Sequence, residues 1–198
     1  METNFQATME DKKRVQELIP EIALIQDEEL REKVVIAWVK AWRESSFKDL
    51  SEVPAALDET KDQISQIQHL RAVTLTSIRI ADALQEILSF VKIKRDILIA
   101  GAILHDLGKP FEYDPKNQEK WLNDPLTEGK PAIRHSVYGV HLALSVGLPV
   151  EIAHIMGAHS MEGRYLQRSL PNTIINFADH VFWEVAWKAG FNKVMQYI

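Results

Sequence analysis

The sequence contains no cysteine. That single absence removes disulfides, thiolate metal sites and cysteine nucleophiles together, so any metal here must be held by His, Asp or Glu. No apolar run approaches the ~18 residues of a membrane span. The N-terminal stretch METNFQATMEDKKRVQ lacks the apolar centre of a signal peptide. A cytoplasmic protein with no membrane partner is therefore expected. Positive charge does not dominate: the formal net charge is −5 and no basic stripe stands out, which argues against a nucleic acid polymer as partner. A small anionic substrate gripped by a few local cations remains compatible. The alternation of β-strands is missing, and so is any internal repeat.

What is present is helical periodicity. Asp11–Ile19 predicts a short helix ended by Pro20. In Glu21–Arg43, Leu30, Val34, Trp38 and Trp42 recur at i+4, with Val35 and Val39 widening the stripe. This predicts one helix packed on the main body or on a second subunit, and a homodimer through the N-terminal helices is the oligomer it suggests. Ser45–Leu57 reads as a connection, and Asp58–Phe90 as a long helix capped by Asp58 with His69 in its apolar stripe. Lys94–Leu107, Ile133–Val146, Val150–Ala158 and Asn172–Ala189 follow, the last capped by Asn172. Between Gly108 and Pro131, prolines and aromatics show no period, so a structureless segment and candidate lid is expected. The chain reads as all-α, with a helical extension over 1–57 and a larger helical domain over 58–198.

The chain is organised around Ile97–Lys109, ILIAGAILHDLGK. An apolar helix runs straight into His105-Asp106 and breaks at Gly108-Lys109-Pro110. A carboxylate at the edge of a dry core is costly without a charge partner, and with a neutral imidazole beside it a metal is the economical answer. Other His and Asp residues stand in similar apolar settings: His69, His135, His159 and Asp179. No Lys or Arg lies within a helical turn of Asp179 to offset it.

The order H…HD…H…H…D on an all-helical chain resembles the HD-domain superfamily of metal-dependent phosphohydrolases. HDLGK at His105–Lys109 carries the match, with HLRAVTLTSIRIADAL beginning at His69 and INFADH holding Asp179. The resemblance covers roughly residues 60–190 and implies an HD-domain-like helical bundle. It implies a first divalent ion on His69, His105, Asp106 and Asp179, and a second on His135 and His159, with Asp106 bridging. His141 and His154 are equally available histidines. They lie mid-helix, whereas His135 opens a helix and His159 closes one. His180 reads as a supporting or core residue. Catalytic roles fall to Asp106 and Lys109, and substrate binding to Lys109 and Arg134, with Lys130, Arg164 and Arg168 weaker. Fe, Mn, Mg, Ni, Co and Zn are not distinguished by such ligands. The expected reaction is hydrolysis of a phosphate ester or anhydride of a nucleotide or small metabolite. A di-iron oxygenase cleaving a phosphonate or polyol uses the same ligands, and a metal-stabilised regulatory module without turnover is the third possibility.

Overall fold

The computed structural model describes residues 5–57 and 64–191. The elements are helices α1 (Met9–Leu18), α2 (Glu28–Arg43), α3 (Gln66–Ile87), α4 (Arg95–Leu104), α5 (Lys109–Glu112), α6 (Pro115–Asn123), α7 (Pro125–Glu128), α8 (His135–Ser145), α9 (Val150–Ala158) and α10 (Leu170–Lys188). Among the described residues no strand forms; the all-α class expected from the sequence holds.

At the centre lies α4, whose residues from Leu98 to Leu104 are all buried. It packs against α2, α3, α9 and α10. Side chains such as Leu98, Ile99, Ile103 and Leu104 gain roughly 1.5–3 kcal/mol each from such burial. Gly101 lets the neighbours come close, since a Cβ there would stand 2.5 Å from Ile155 Cδ1 and 3.2 Å from Ile175 Cδ1.

Several boundaries differ from the sequence reading, for local reasons. Glu21–Arg43 is two pieces: a 3-10 turn over Pro20–Leu24, then α2, which starts where the Asp27 side chain accepts from the Leu30 N–H. The expected cap Asp58 lies outside the described residues; α3 begins at a capping box of Ser65 and Gln68. Ser169, not Asn172, caps α10, and Asn172 is buried in its first turn. The segment after Gly108 is not structureless. It folds into α5, α6 and α7, each with Pro at its start, and Asp114 and Asp124 cap the latter two. Proline breaks a helix interior but suits a first turn, whose N–H has no partner anyway.

Trp38 and Trp42 are buried within the chain's own core. The Trp38 indole donates to Ile103 O at 3.3 Å, which ties α2 to the last turn of α4. The expected dimer through these tryptophans therefore loses its basis. Val15, Ile19, Trp38, Leu50 and Val53 share one apolar cluster with Leu98 and Ile103, so the N-terminal helices and the later ones have a common core. The expected boundary after Leu57 falls at residues 58–63, outside the described ones. On either side of it, Gln66 N–H donates to Val53 O at 2.7 Å and Ala55 N–H to Ile64 O at 3.0 Å.

Candidate metal centre

Five helices each bring one part of the site. His69 lies in the first turns of α3, His105 is the C-terminal cap of α4 with Asp106 next, His135 opens α8, His159 caps α9, and Asp179 lies mid-way along α10. The four histidines and Asp106 are buried. A common local device orients two of the rings. At a helix C-terminus the last carbonyls lack partners, and His105 Nδ1 donates to Ala102 O at 2.7 Å while His159 Nδ1 donates to Met156 O at 2.8 Å. His135 Nδ1 donates instead to Glu112 Oε2 at 2.7 Å. With the proton on Nδ1, each Nε2 turns a lone pair inward.

Those lone pairs converge on Asp106. Its Oδ2 stands 3.1 Å from His69 Nε2 and 3.3 Å from His105 Nε2. Its Oδ1 stands 3.3 Å from His135 Nε2 and 3.5 Å from His159 Nε2. Asp179 Oδ1 joins the first set, 3.4 Å from His69 Nε2. The six residues thus form two groups, His69–His105–Asp179 and Asp106–His135–His159, each able to offer ligand atoms within 4.8 Å of one another. The residues brought together are the six the sequence singled out.

These donors fit divalent cations. His69 and His105 face each other through Nε2 atoms 3.2 Å apart. Asp179 Oδ1 is buried and receives no hydrogen bond, and His69 Nδ1 is likewise without a partner. Unpaired polar atoms inside a dry core are costly unless a charge partner lies among them. Burial pulls His69 down to about 4 and also lowers His159, so both are neutral, the ligand form, near pH 7. Burial opposes a charged His105 too, but the neighbouring Asp106 outweighs it and draws that ring upward. Burial likewise resists ionisation of Asp106, yet Lys109 and His105 hold it well below the carboxylate range.

Around these six stand residues that sequence reading assigned differently or passed over. Lys109, expected to meet substrate, is only 4% exposed. Its ammonium donates to Asp106 Oδ2 and to Ala55 O, both at 2.8 Å. Arg134 keeps a half-exposed guanidinium that bridges Glu112 and Glu162, the latter at 2.7 Å. Glu112 and Gln66 were missed. Glu112 accepts from both the ring and the backbone N–H of His135, and Gln66 Nε2 donates to Asp106 Oδ2 at 3.0 Å. One signal for Glu112 was available: an acidic residue among apolar neighbours right after HDLGKP. His159 is steadied from behind by Asn176, which donates to its carbonyl at 2.5 Å. Arg168 caps the end of α9 through Ala158 O and Ser160 O rather than facing the site. His141 and His180 are exposed, so His180 is not the supporting or core residue expected. His154 accepts the Ser169 N–H at 3.1 Å.

A family model of the HD domain matches residues 67–183, which include all six residues and more than half of the chain. The chain belongs to the HD-domain family. HD domains bind divalent metals, and the two His/Asp groups are where this one could hold them. Among curated relatives, the dihydroneopterin 2′,3′-cyclic phosphate phosphodiesterase of Methanocaldococcus jannaschii is 28% identical over 162 residues. That alignment takes in 78% of this HD-domain chain, which spans 63% of the relative's own length. No solved structure matches the chain. Among the described residues no helix is long and apolar enough to cross a membrane.

Proposed function

We propose that this HD domain is a metal-dependent phosphohydrolase acting on a small phosphorylated metabolite, with phosphodiesters as the first class to test. The observation that carries the reading is the division of Asp106, one oxygen toward each group of ligands. A carboxylate set in that way suits two cations ~3.5–4 Å apart. In this reading His69, His105, Asp106 and Asp179 hold one ion, and His135, His159 and Asp106 the other. Cations held there would lower the pKa of a water and neutralise charge developing on a phosphoryl oxygen.

The chain's own residues do the rest. Imidazoles fixed by Ala102 O, Met156 O and Glu112 keep their lone pairs aimed without reorganisation during turnover. Water is the molecule that reacts in this reading. Its oxygen joins phosphorus, the ester P–O bond breaks, and the leaving oxygen takes up a proton. Arg134 is the cation best placed to meet substrate phosphate, because its guanidinium stays half-exposed beside His135. The relative's name favours a phosphodiester, and its heterocyclic polyol suggests which diester to try. An oxygenase would use the same six residues, but nothing in the surrounding side chains favours dioxygen over water.

The test is a hydrolysis screen of the protein loaded in turn with Mn, Fe, Mg and Zn. It would cover 2′,3′-cyclic phosphates, including that of dihydroneopterin, together with linear dinucleotides and phosphomonoesters. A cyclic diester opened to a monoester is the expected result; inertness toward every compound with metals bound would sink the proposal. Asp106→Ala should lose both ions and His159→Ala mainly one.

A further inference from the structure

Of the five tryptophans, Trp38, Trp42 and Trp121 are buried, whereas Trp183 and Trp187 are half-buried. The last two follow Asp179 at i+4 and i+8 and so share its face of α10. Four residues of helix rise about 6 Å, so an indole comes directly after the Asp179 carboxylate. The Trp183 ring lies 5.1 Å from the His69 ring, tilted by 31°. It is also 5.7 Å from the Lys109 ammonium, which has the half-buried Tyr113 ring at 5.5 Å. Trp187 continues the strip, 6.0 Å from Trp183 with the planes 33° apart, and the buried Phe191 backs Trp183 at 5.8 Å. Core packing does not account for the pair. Among the described residues Phe182 packs against the shared apolar cluster, but Trp183 and Trp187 take no part in it. Trp38 and Trp42 are also held by their indole N–H groups, which donate to Ile103 O and Phe47 O; among the described residues no such bond holds Trp183 or Trp187.

We propose that Trp183 and Trp187 form an aromatic platform that selects phosphate esters carrying a planar heterocycle, with Trp183 as the specificity-determining residue nearest the His/Asp centre. This rests on reading that centre as the site of a phosphohydrolase. Trp183 touches His69, which faces Asp106 Oδ2, while Arg134 precedes His135, which faces Oδ1. The platform and the half-exposed guanidinium thus lie toward different oxygens of Asp106. A phosphate held between them directs its organic group toward the indoles. A flat ring stacked there covers apolar surface that water otherwise wets, and adds the attraction between aromatic planes. Two indoles in line also suit rings of more than one kind, because every heterocycle offers a π-face. An aliphatic phosphate ester gains neither contribution, so the platform separates the two classes by their organic group alone.

The test is calorimetric titration of the Mn-loaded full chain with adenosine 2′-phosphate, guanosine 2′-phosphate and glycerol 2-phosphate. The wild type should bind at least one ring-bearing ester about tenfold tighter than glycerol phosphate. Trp183→Leu and Trp187→Leu should each cut that preference by about fivefold or more and leave glycerol phosphate binding unchanged, while Trp183→Phe and Trp187→Phe keep it. A purely structural role for the indoles would instead weaken all three esters alike, and that result would overturn the proposal. So would equal affinity of the wild type for the three esters, or a preference unmoved by both Leu variants. If Trp183→Leu loses its bound Mn through the contact with His69, Trp187→Leu alone decides. Binding of no ester to the wild type would also overturn the platform. The phosphohydrolase reading stands or falls separately, on turnover of ring-free diesters by the metal-loaded chain.

Discussion

Glu112 and His135 are joined twice: one carboxylate oxygen, Oε2, accepts from the ring Nδ1 at 2.7 Å and from the backbone N–H of the same residue at 2.5 Å. The first bond sets the ring tautomer, and the second fixes the start of α8 that carries the ring. Burial opposes the charge on Glu112, but His135 and then Arg134 keep it ionised, below the usual carboxylate range. Glu112→Gln keeps the shape and loses the charge. Metal affinity should fall by about 10–100-fold, as for other partners of metal-binding histidines. Equilibrium dialysis against Mn checks this, with Glu151→Gln, at the exposed pair with Lys94, as the control expected to bind metal as well as the wild type.

Gly108 is a steric requirement of the same region. A Cβ at this position would lie 2.1 Å from His135 O and 2.8 Å from His135 Cα, both backbone atoms that cannot rotate aside. Gly108→Ala should therefore push α5 and the start of α8 apart, costing about 1–3 kcal/mol. The urea midpoint should drop, and bound metal should be lost along with it. Gly190→Ala is the contrast. Its φ of 99° makes any side chain strained, yet nothing lies within 4 Å, so stability should fall without effect on metal content.

Removing metal should cost stability directly. The ligands come from five helices, so a bound ion stabilises only the folded arrangement. At a free-metal concentration about 100 times the dissociation constant, one such site contributes ~2.7 kcal/mol. Thermal melts with and without EDTA should show a lower midpoint in the chelator, restored by excess Mn. An Asp106→Ala variant should melt at one temperature in both conditions.

Acid should weaken the attachment of α1. Asp11 accepts from Arg43 on α2, and that bond holds its carboxyl below the ordinary 3.8 against the opposite pull of burial. A depressed carboxylate contributes stability above its unfolded value and loses the contribution as pH falls through the folded one. Because Arg43 is largely solvated, the pair is worth about 0.5–1 kcal/mol. Asp11→Asn should therefore be less stable than the wild type at pH 7, with the gap closing as the pH falls below the ordinary 3.8. A gap that persists in acid would show that the carboxylate charge is not what matters.

Much of the site was legible because its residues break a local rule. An apolar helix that ends in His-Asp, or an Asp mid-way along a half-buried helix, announces a cost that something must offset. Helix α9 was read to the residue, bounded by Pro149 and the turn after His159. Other features were hidden because they depend on partners far along the chain. The indole of Trp38 reads as a packing residue, and only the fold shows it bonded to Ile103 O. Glu112, Gln66 and Ala55 act on His135, Asp106 and Lys109 through contacts with no sequence period behind them. Lys109 showed the opposite failure: the sequence marks it as a cation near the metals, but not whether it turns to solvent or to Asp106. The three short helices after Gly108 were obscured because a proline that opens a helix looks, one residue at a time, like one that ends it.

The meeting of His69 with Asp179, 3.4 Å apart from opposite ends of the family match, also has a chronology. In order of synthesis Asp106, His135 and His159 all precede α10. The His69 group waits for Asp179. One set of donors is thus complete in the sequence before the other, and among the described residues the last helix is the one that closes the centre.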